Sequence, residues 1–190
     1  MKRIKHTIVA LVENKPGVLN RIANKWRQRG FNIESLAVGH SEVPGLSRMT
    51  FVVDGASTDV EQVTKQLYKV IEVVKIADLT EEPMVARELA LIKVNASHAD
   101  RSAIIMVADI FRADIVDVSQ ECVIVEVTGV EEKIDAMIEM LRPFGIRELV
   151  RTGRVAMSRG AAVSVDGGEE VRSTRFRPAG EGKPRVGSLL

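Results

Sequence analysis

An α+β fold of two tandem ferredoxin-like domains, each with the order β-α-β-β-α-β, is predicted from three observations. Strand-type and helix-type periodicities follow one another in that order from Thr7 to Ala77. The same order returns with an offset of about 80 residues, which favours a duplicated small fold over one large domain. Clusters of Pro, Gly, Asn and Ser separate the periodic segments.

Thr7 to Val12 is a continuous β-rich apolar run, the pattern of a strand covered on both faces. Its second face must therefore meet something other than water. After Gly17 the apolar residues Val18, Leu19, Ile22, Ala23 and Trp26 recur at helical spacing, and Gly30 stops that helix. Asn32 to Gly39 and Ser47 to Asp54 are strands joined by the turn-rich segment Ser41 to Gly45. Ser57 or Thr58 can cap a second helix carrying Val60, Val63 and Leu67 inward, and Val70 to Ala77 is a β-branched fourth strand.

In the second half, Glu88 to Asn95 is a strand and Ser102 to Phe111 a strongly apolar helix. Asp114 to Ser119 and Cys122 to Thr128 form a hairpin. A helix over Glu131 to Leu141 ends before Pro143 and Gly145, and Ile146 to Arg151 is the last strand. Glu81-Glu82-Pro83 is the linker, so the domains span 1–80 and 84–157. Residues 158–190 carry few apolar side chains and are expected to form a flexible tail.

The 190 residues are 45% hydrophobic and carry a net charge of +1, which gives no global pull toward nucleic acid or membrane. Cys122 is the single cysteine, so no internal disulfide can form, and it reads as a small buried hydrophobe in a reducing compartment. The apolar run behind the basic start stops at Glu13, too short for a signal peptide or membrane span. A cytoplasmic location is the default expectation.

No catalytic or metal constellation is legible. His6, His40 and His98 share no ligand spacing with one another or with Cys122, and no Walker loop, dinucleotide fingerprint or nucleophile elbow is present. Glu131, Glu132, Asp135 and Glu139 fall on helix faces and read as solvated surface. RNA-recognition modules share the fold plan but stack bases on strand aromatics, of which the first strand here has none and the third only Phe51. An acylphosphatase-like enzyme would want an arginine in the loop after the first strand, and that loop has none.

The turn Asn14-Lys15-Pro16-Gly17 points instead to small-molecule sensing. A free amino acid presents a carboxylate, which the unpaired N–H groups of a helix N-terminus can receive. Gly17 lets a ligand approach the backbone, Pro16 stiffens the entry, and the Asn14 and Asn32 amides can orient polar groups.

The runs Leu11 to Leu19, Arg29 to Leu36 and Gly45 to Thr50, with Leu79 to Glu81, Arg87 to Leu89 and Ile110 to Arg112, resemble the regulatory small subunit of acetolactate synthase (acetohydroxyacid synthase). The likeness covers nearly everything before the tail, and the first half is similar to an ACT domain. That resemblance implies a non-catalytic partner of a large catalytic subunit, which alone would hold thiamine diphosphate, FAD and Mg. It also implies activation of that subunit, feedback inhibition by valine or another branched-chain amino acid, and a homodimer through the ACT domains. Carried over by position, the effector-binding residues are Asn14, Gly17, Val18 and Leu19 of one chain with Asn32 and Ile33 of the other. Asn95 to Ala99 lacks a Pro-Gly turn, so no equivalent site is expected there. The alternative is a free-standing ACT-type module that regulates transcription or a different enzyme.

Overall fold

A computed structural model describes residues 5–28, 30–54 and 60–161. The expected Ser57/Thr58 cap and nearly all of the expected tail lie outside the described residues. The element order is β1 (Lys5–Glu13), α1 (Val18–Arg27), β2 (Ile33–His40), β3 (Leu46–Asp54), α2 (Val60–Leu67) and β4 (Val73–Asp78). There follow β5 (Met84–Asn95), α3 (Arg101–Phe111), β6 (Asp114–Val118), β7 (Cys122–Gly129), α4 (Glu131–Leu141), β8 (Ile146–Arg151) and β9 (Val155–Ser158). Two sheets result, with orders β2-β3-β1-β4 and β6-β7-β5-β8, and all their pairings are antiparallel. Each is the split βαβ arrangement, in which the strand after the first helix sits at the edge and its hairpin partner fills the gap. Among the described residues no helix is long and apolar enough to cross a membrane.

β1 is central and apolar on both sides because two different cores need it. Ile8, Ala10 and Val12 face α1 and α2 and join Ile22, Trp26, Phe51 and Leu67 in the first core. Trp26 is fully buried with its ring centroid 4.5 Å from that of Phe51, so Trp26→Ala would cost about 3–5 kcal/mol. Val9 and Leu11 point the other way, onto Leu79, Ala156, Met84 and Ala86. The cover for the second face of β1 is thus a ribbon from the C-terminal half, in which Met84 to Arg87 of β5 pair with β9.

Three sequence expectations need correction. The fourth strand starts at Val73 rather than Val70, because Val70 and Ile71 lie in the turn before it and Ile71 is exposed. The fifth strand starts at Met84, four residues earlier than expected, since its first stretch belongs to the ribbon. Cys122 is half-buried, with its Sγ 3.2 Å from Ser119 Oγ, rather than packed as a core hydrophobe.

β5 shows the alternation of a strand whose two faces differ. Ala90, Ile92 and Val94 enter the second core with Ile104, Val125, Ile134 and Met137. Its opposite face carries Leu91 and Lys93, which border a shallow depression with Ile124, Glu148 and Val150.

Candidate functional site

The turn after β1 is fixed at both ends by backbone bonds. The Glu13 N–H donates to Glu72 O at 2.9 Å and the Asn14 N–H to Gly45 O at 2.8 Å. Arg21, one turn into α1, forms an ion pair with Glu72 and braces the helix against the turn that precedes β4. Between these anchors Gly17 caps α1 at φ 85°, a left-handed conformation that strains a side chain, and it makes no side-chain cap bond. The Val18 N–H reaches the Lys15 carbonyl only at 3.5 Å, so the first N–H groups of α1 have at most this one long bond among the described residues and stand open to solvent or a ligand at the positive end of the helix dipole. A Cβ built on Gly17 would meet nothing within 4 Å, so the space over the turn is open.

The predicted residues divide into two groups. Asn14, Gly17 and Leu19 are exposed together at the turn, with Leu19 at 42% exposure. Val18 stands beside them, but its side chain is buried in the first core, so it can offer a ligand only its backbone. Asn32 and Ile33 lie at the far end of α1, where Asn32 is exposed and Ile33 packs partly against the first core. Ile33 is level with Val53 of β3 and Val53 with His6 of β1. From His6 to Asn14 a strand advances about 26 Å, so one small ligand cannot touch both groups in one chain. The side-chain amides of Asn14 and Asn32 make no hydrogen bond with other described residues.

Among the described residues β2 is an edge strand, paired only with β3. Two depressions lie elsewhere. One of about 350 Å³ separates β2 from β9, and one of about 370 Å³ lies at the junction of the two halves. Neither includes Asn14 or Gly17.

The residues that build this junction were not legible in the sequence. Glu131, read as solvated surface, accepts from Lys5 Nζ at 2.5 Å and Arg154 Nη2 at 2.8 Å, and its side chain is only 23% exposed. Burial would push the Glu131 carboxyl up, but Lys5, Arg154 and Arg151 outweigh it and hold it below the ordinary value of 4.5. The Glu131 carboxylate in turn raises Lys5 above 10.5, against the opposing effect of burial and with help from Glu34. Asp135 pairs with Arg151 and Glu139 with Arg142. Only the two members of such a pair that lie close in sequence, as in Glu139 and Arg142, are visible to helix-spacing arguments.

Comparison with known proteins decides the family. Residues 8–75 match the family described as AHAS small subunit-like ACT domain, and residues 87–160 match the small subunit of acetolactate synthase. The chain is 57% identical over 157 residues to the probable acetolactate synthase small subunit of Archaeoglobus fulgidus, covering 83% of this chain and 98% of that one. The chain belongs to the acetolactate synthase small subunit family. To the Bacillus subtilis acetolactate synthase small subunit it is 50% identical, over 84% of this chain and 92% of the relative. The crystal structure of the Thermotoga maritima acetolactate synthase small subunit superposes with a TM-score of 0.77 at 45% identity, covering 83% of this chain and 99% of that one. The first half of this small-subunit family member is thus an ACT domain, and the fold class read from the sequence holds in both halves.

Proposed function

We propose that this chain is the non-catalytic, cytoplasmic regulatory subunit of an acetolactate synthase. In this reading it raises the activity of a thiamine-diphosphate-dependent catalytic subunit and confers inhibition by valine or a related branched-chain amino acid. The observation that carries the effector site is the open, uncapped start of α1 at Gly17 beside the unengaged Asn14 amide. The Val18 and Leu19 N–H groups would take the ligand carboxylate, Asn14 and Asn32 would orient its polar end, and Leu19 with Ile33 would flank its side chain.

Two chains must share such a site, given the separation of Asn14 from Asn32. Antiparallel pairing of two β2 edges around a two-fold axis would bring the start of one β2 toward the turn of the other chain and create two equivalent sites. It would also cover an edge that otherwise leaves backbone groups unpaired.

Reconstitution with the catalytic subunit tests this function. The purified chain alone is expected to form no acetolactate, and its addition to be followed by higher turnover and by sensitivity to valine. Turnover by the chain alone, or no effect on the catalytic subunit, would refute the proposal.

A further inference from the structure

The strand proposed to hold half of the effector is tied directly to the C-terminal half of the chain. β2 carries a bulge, since Ile33 pairs with Val53 but Ser35 with the very next residue, Val52. Strict alternation would put Ile33 and Ser35 on one face and Leu36 on the other. The extra residue at Glu34 lets both Ile33 and Leu36 pack on the first core and turns Ser35 toward the second domain. There Ser35 Oγ accepts the Arg154 N–H at 2.9 Å. The approach is so close that a Cβ on Gly153 would sit 2.5 Å from that oxygen, and Gly153 adopts φ 79° to allow it.

Arg154 spreads the connection over three elements, β2, β1 and α4. Its guanidinium donates to Thr7 Oγ1 of β1 at 3.0 Å and to Glu131 Oε2, the first residue of α4, at 2.8 Å. Lys5 closes the circuit by pairing with Glu131 at 2.5 Å and with Glu34 of β2 at 3.1 Å. The Arg154 side chain is only 16% exposed, and Glu131 has Lys5 as its second cation. A displacement at the start of β2 therefore changes the distances to Arg154 and Lys5, and both meet at the N-terminus of α4.

We propose that Arg154 is a positioning residue that couples effector occupancy at Asn32 and Ile33 to the second domain through Ser35 and Glu131. This rests on the effector site and regulatory role proposed above. It requires the junction to differ between the free and bound states, because a ligand shifts an equilibrium only by its differential affinity for the two.

The test uses the small subunit reconstituted with its catalytic subunit. It compares wild type, Arg154→Met, Arg154→Lys and Ser35→Ala, with two readouts: valine affinity by calorimetry and valine inhibition of turnover. For Arg154→Met, affinity is expected within threefold of wild type, while half-inhibition needs at least tenfold more valine or maximal inhibition falls by half. Activation without valine persists. Arg154→Lys keeps a charge but cannot span Thr7 and Glu131 together, and is expected to fall between the two. Ser35→Ala removes one hydroxyl and tests the same link if Arg154→Met fails to fold, with about a threefold rise in the half-inhibiting concentration.

Inhibition identical to wild type in Arg154→Met and Ser35→Ala, with wild type itself inhibited, overturns the coupling alone. So does a loss of affinity equal to the loss of inhibition, which would make Arg154 part of the site's scaffold. A wild type that neither binds valine nor confers inhibition overturns the regulatory reading and the coupling together.

Discussion

Asn14 and Ala96 stand at the same place in the two halves of the chain. The Asn14 N–H donates to Gly45 O and the Ala96 N–H to Glu121 O, both at 2.8 Å, and the residue before each donates to the turn that precedes the last strand of its sheet. On that common scaffold the first half leaves a helix start open at Gly17. In the second half the asparagine is replaced by a fully buried alanine, and the Arg101 guanidinium donates to the carbonyls of Ala96, Ser119 and Gln120. The far ends correspond too, since Phe31 and Ala113 close their helices with the same bond, to Trp26 O and Ala108 O. Asn32 therefore matches Asp114, an amide against a carboxylate. The comparison teaches that the two copies of a duplicated fold differ in whether their own side chains leave the helix start open, and the proposed effector site lies in the half that does.

The largest expected effect comes from filling that space. Gly17→Asp would place a carboxylate where the ligand's own carboxylate is proposed to sit, and setting two like charges side by side costs about 2 kcal/mol or more. Valine affinity measured by calorimetry is expected to fall at least thirtyfold, while activation of the catalytic subunit persists. Ala99→Asp, at the matching turn of the second half, is expected to leave valine affinity unchanged. Equal losses in both variants would break the comparison.

Removing the second half's plug should act on stability instead. Arg101→Ala strips three carbonyls of a donor, and thermal melting is expected to show a loss of about 1–3 kcal/mol with valine inhibition intact. A smaller change follows from trimming the proposed apolar wall of the open turn. Leu19→Ala should weaken valine binding by about 1–2 kcal/mol, roughly tenfold, with little change in melting temperature because Leu19 is 42% exposed. Unchanged affinity would move the ligand's side chain away from Leu19.

The smallest effect lies at the junction of the halves. Glu131 titrates below its ordinary 4.5 in the folded chain, so its stabilising share is present above that value and is lost as pH falls through the depressed one. Lys5, raised above 10.5, contributes below that value and loses its share as pH climbs through the raised one. Melting temperature below pH 4.5 is therefore expected to fall less steeply with acid in Glu131→Gln than in wild type. Parallel acid profiles would show that the pair carries no linkage.

Local periodicity made much of this fold legible and left the junction dark. Val18, Ile22 and Trp26 on α1, and Ile134, Met137, Ile138 and Leu141 on α4, announce buried helix faces by spacing alone. The unbroken apolar run of β1 required a cover on its second face, although not the identity of that cover. β9 escaped notice because only Ala156 of its four residues turns inward, leaving no alternation to read. The bond between Ser35 and Arg154 joins residues 119 apart, and no pattern within either segment encodes it. At the turn, Pro16 and Gly17 signalled an open helix start, and the same spacing that turns the Val18 side chain into the core leaves only its backbone to face a ligand.

A mixing experiment tests most directly whether two chains share the open turn. Asn14→Ala and Asn32→Ala chains are mixed and allowed to exchange subunits, so that each mixed dimer carries one intact site and one doubly damaged site. Calorimetry with valine should recover about one tight site per mixed dimer, while each parent homodimer binds weakly. A mixture that binds no better than its parents, with exchange confirmed, would contradict a site built from Asn14 of one chain and Asn32 of the other.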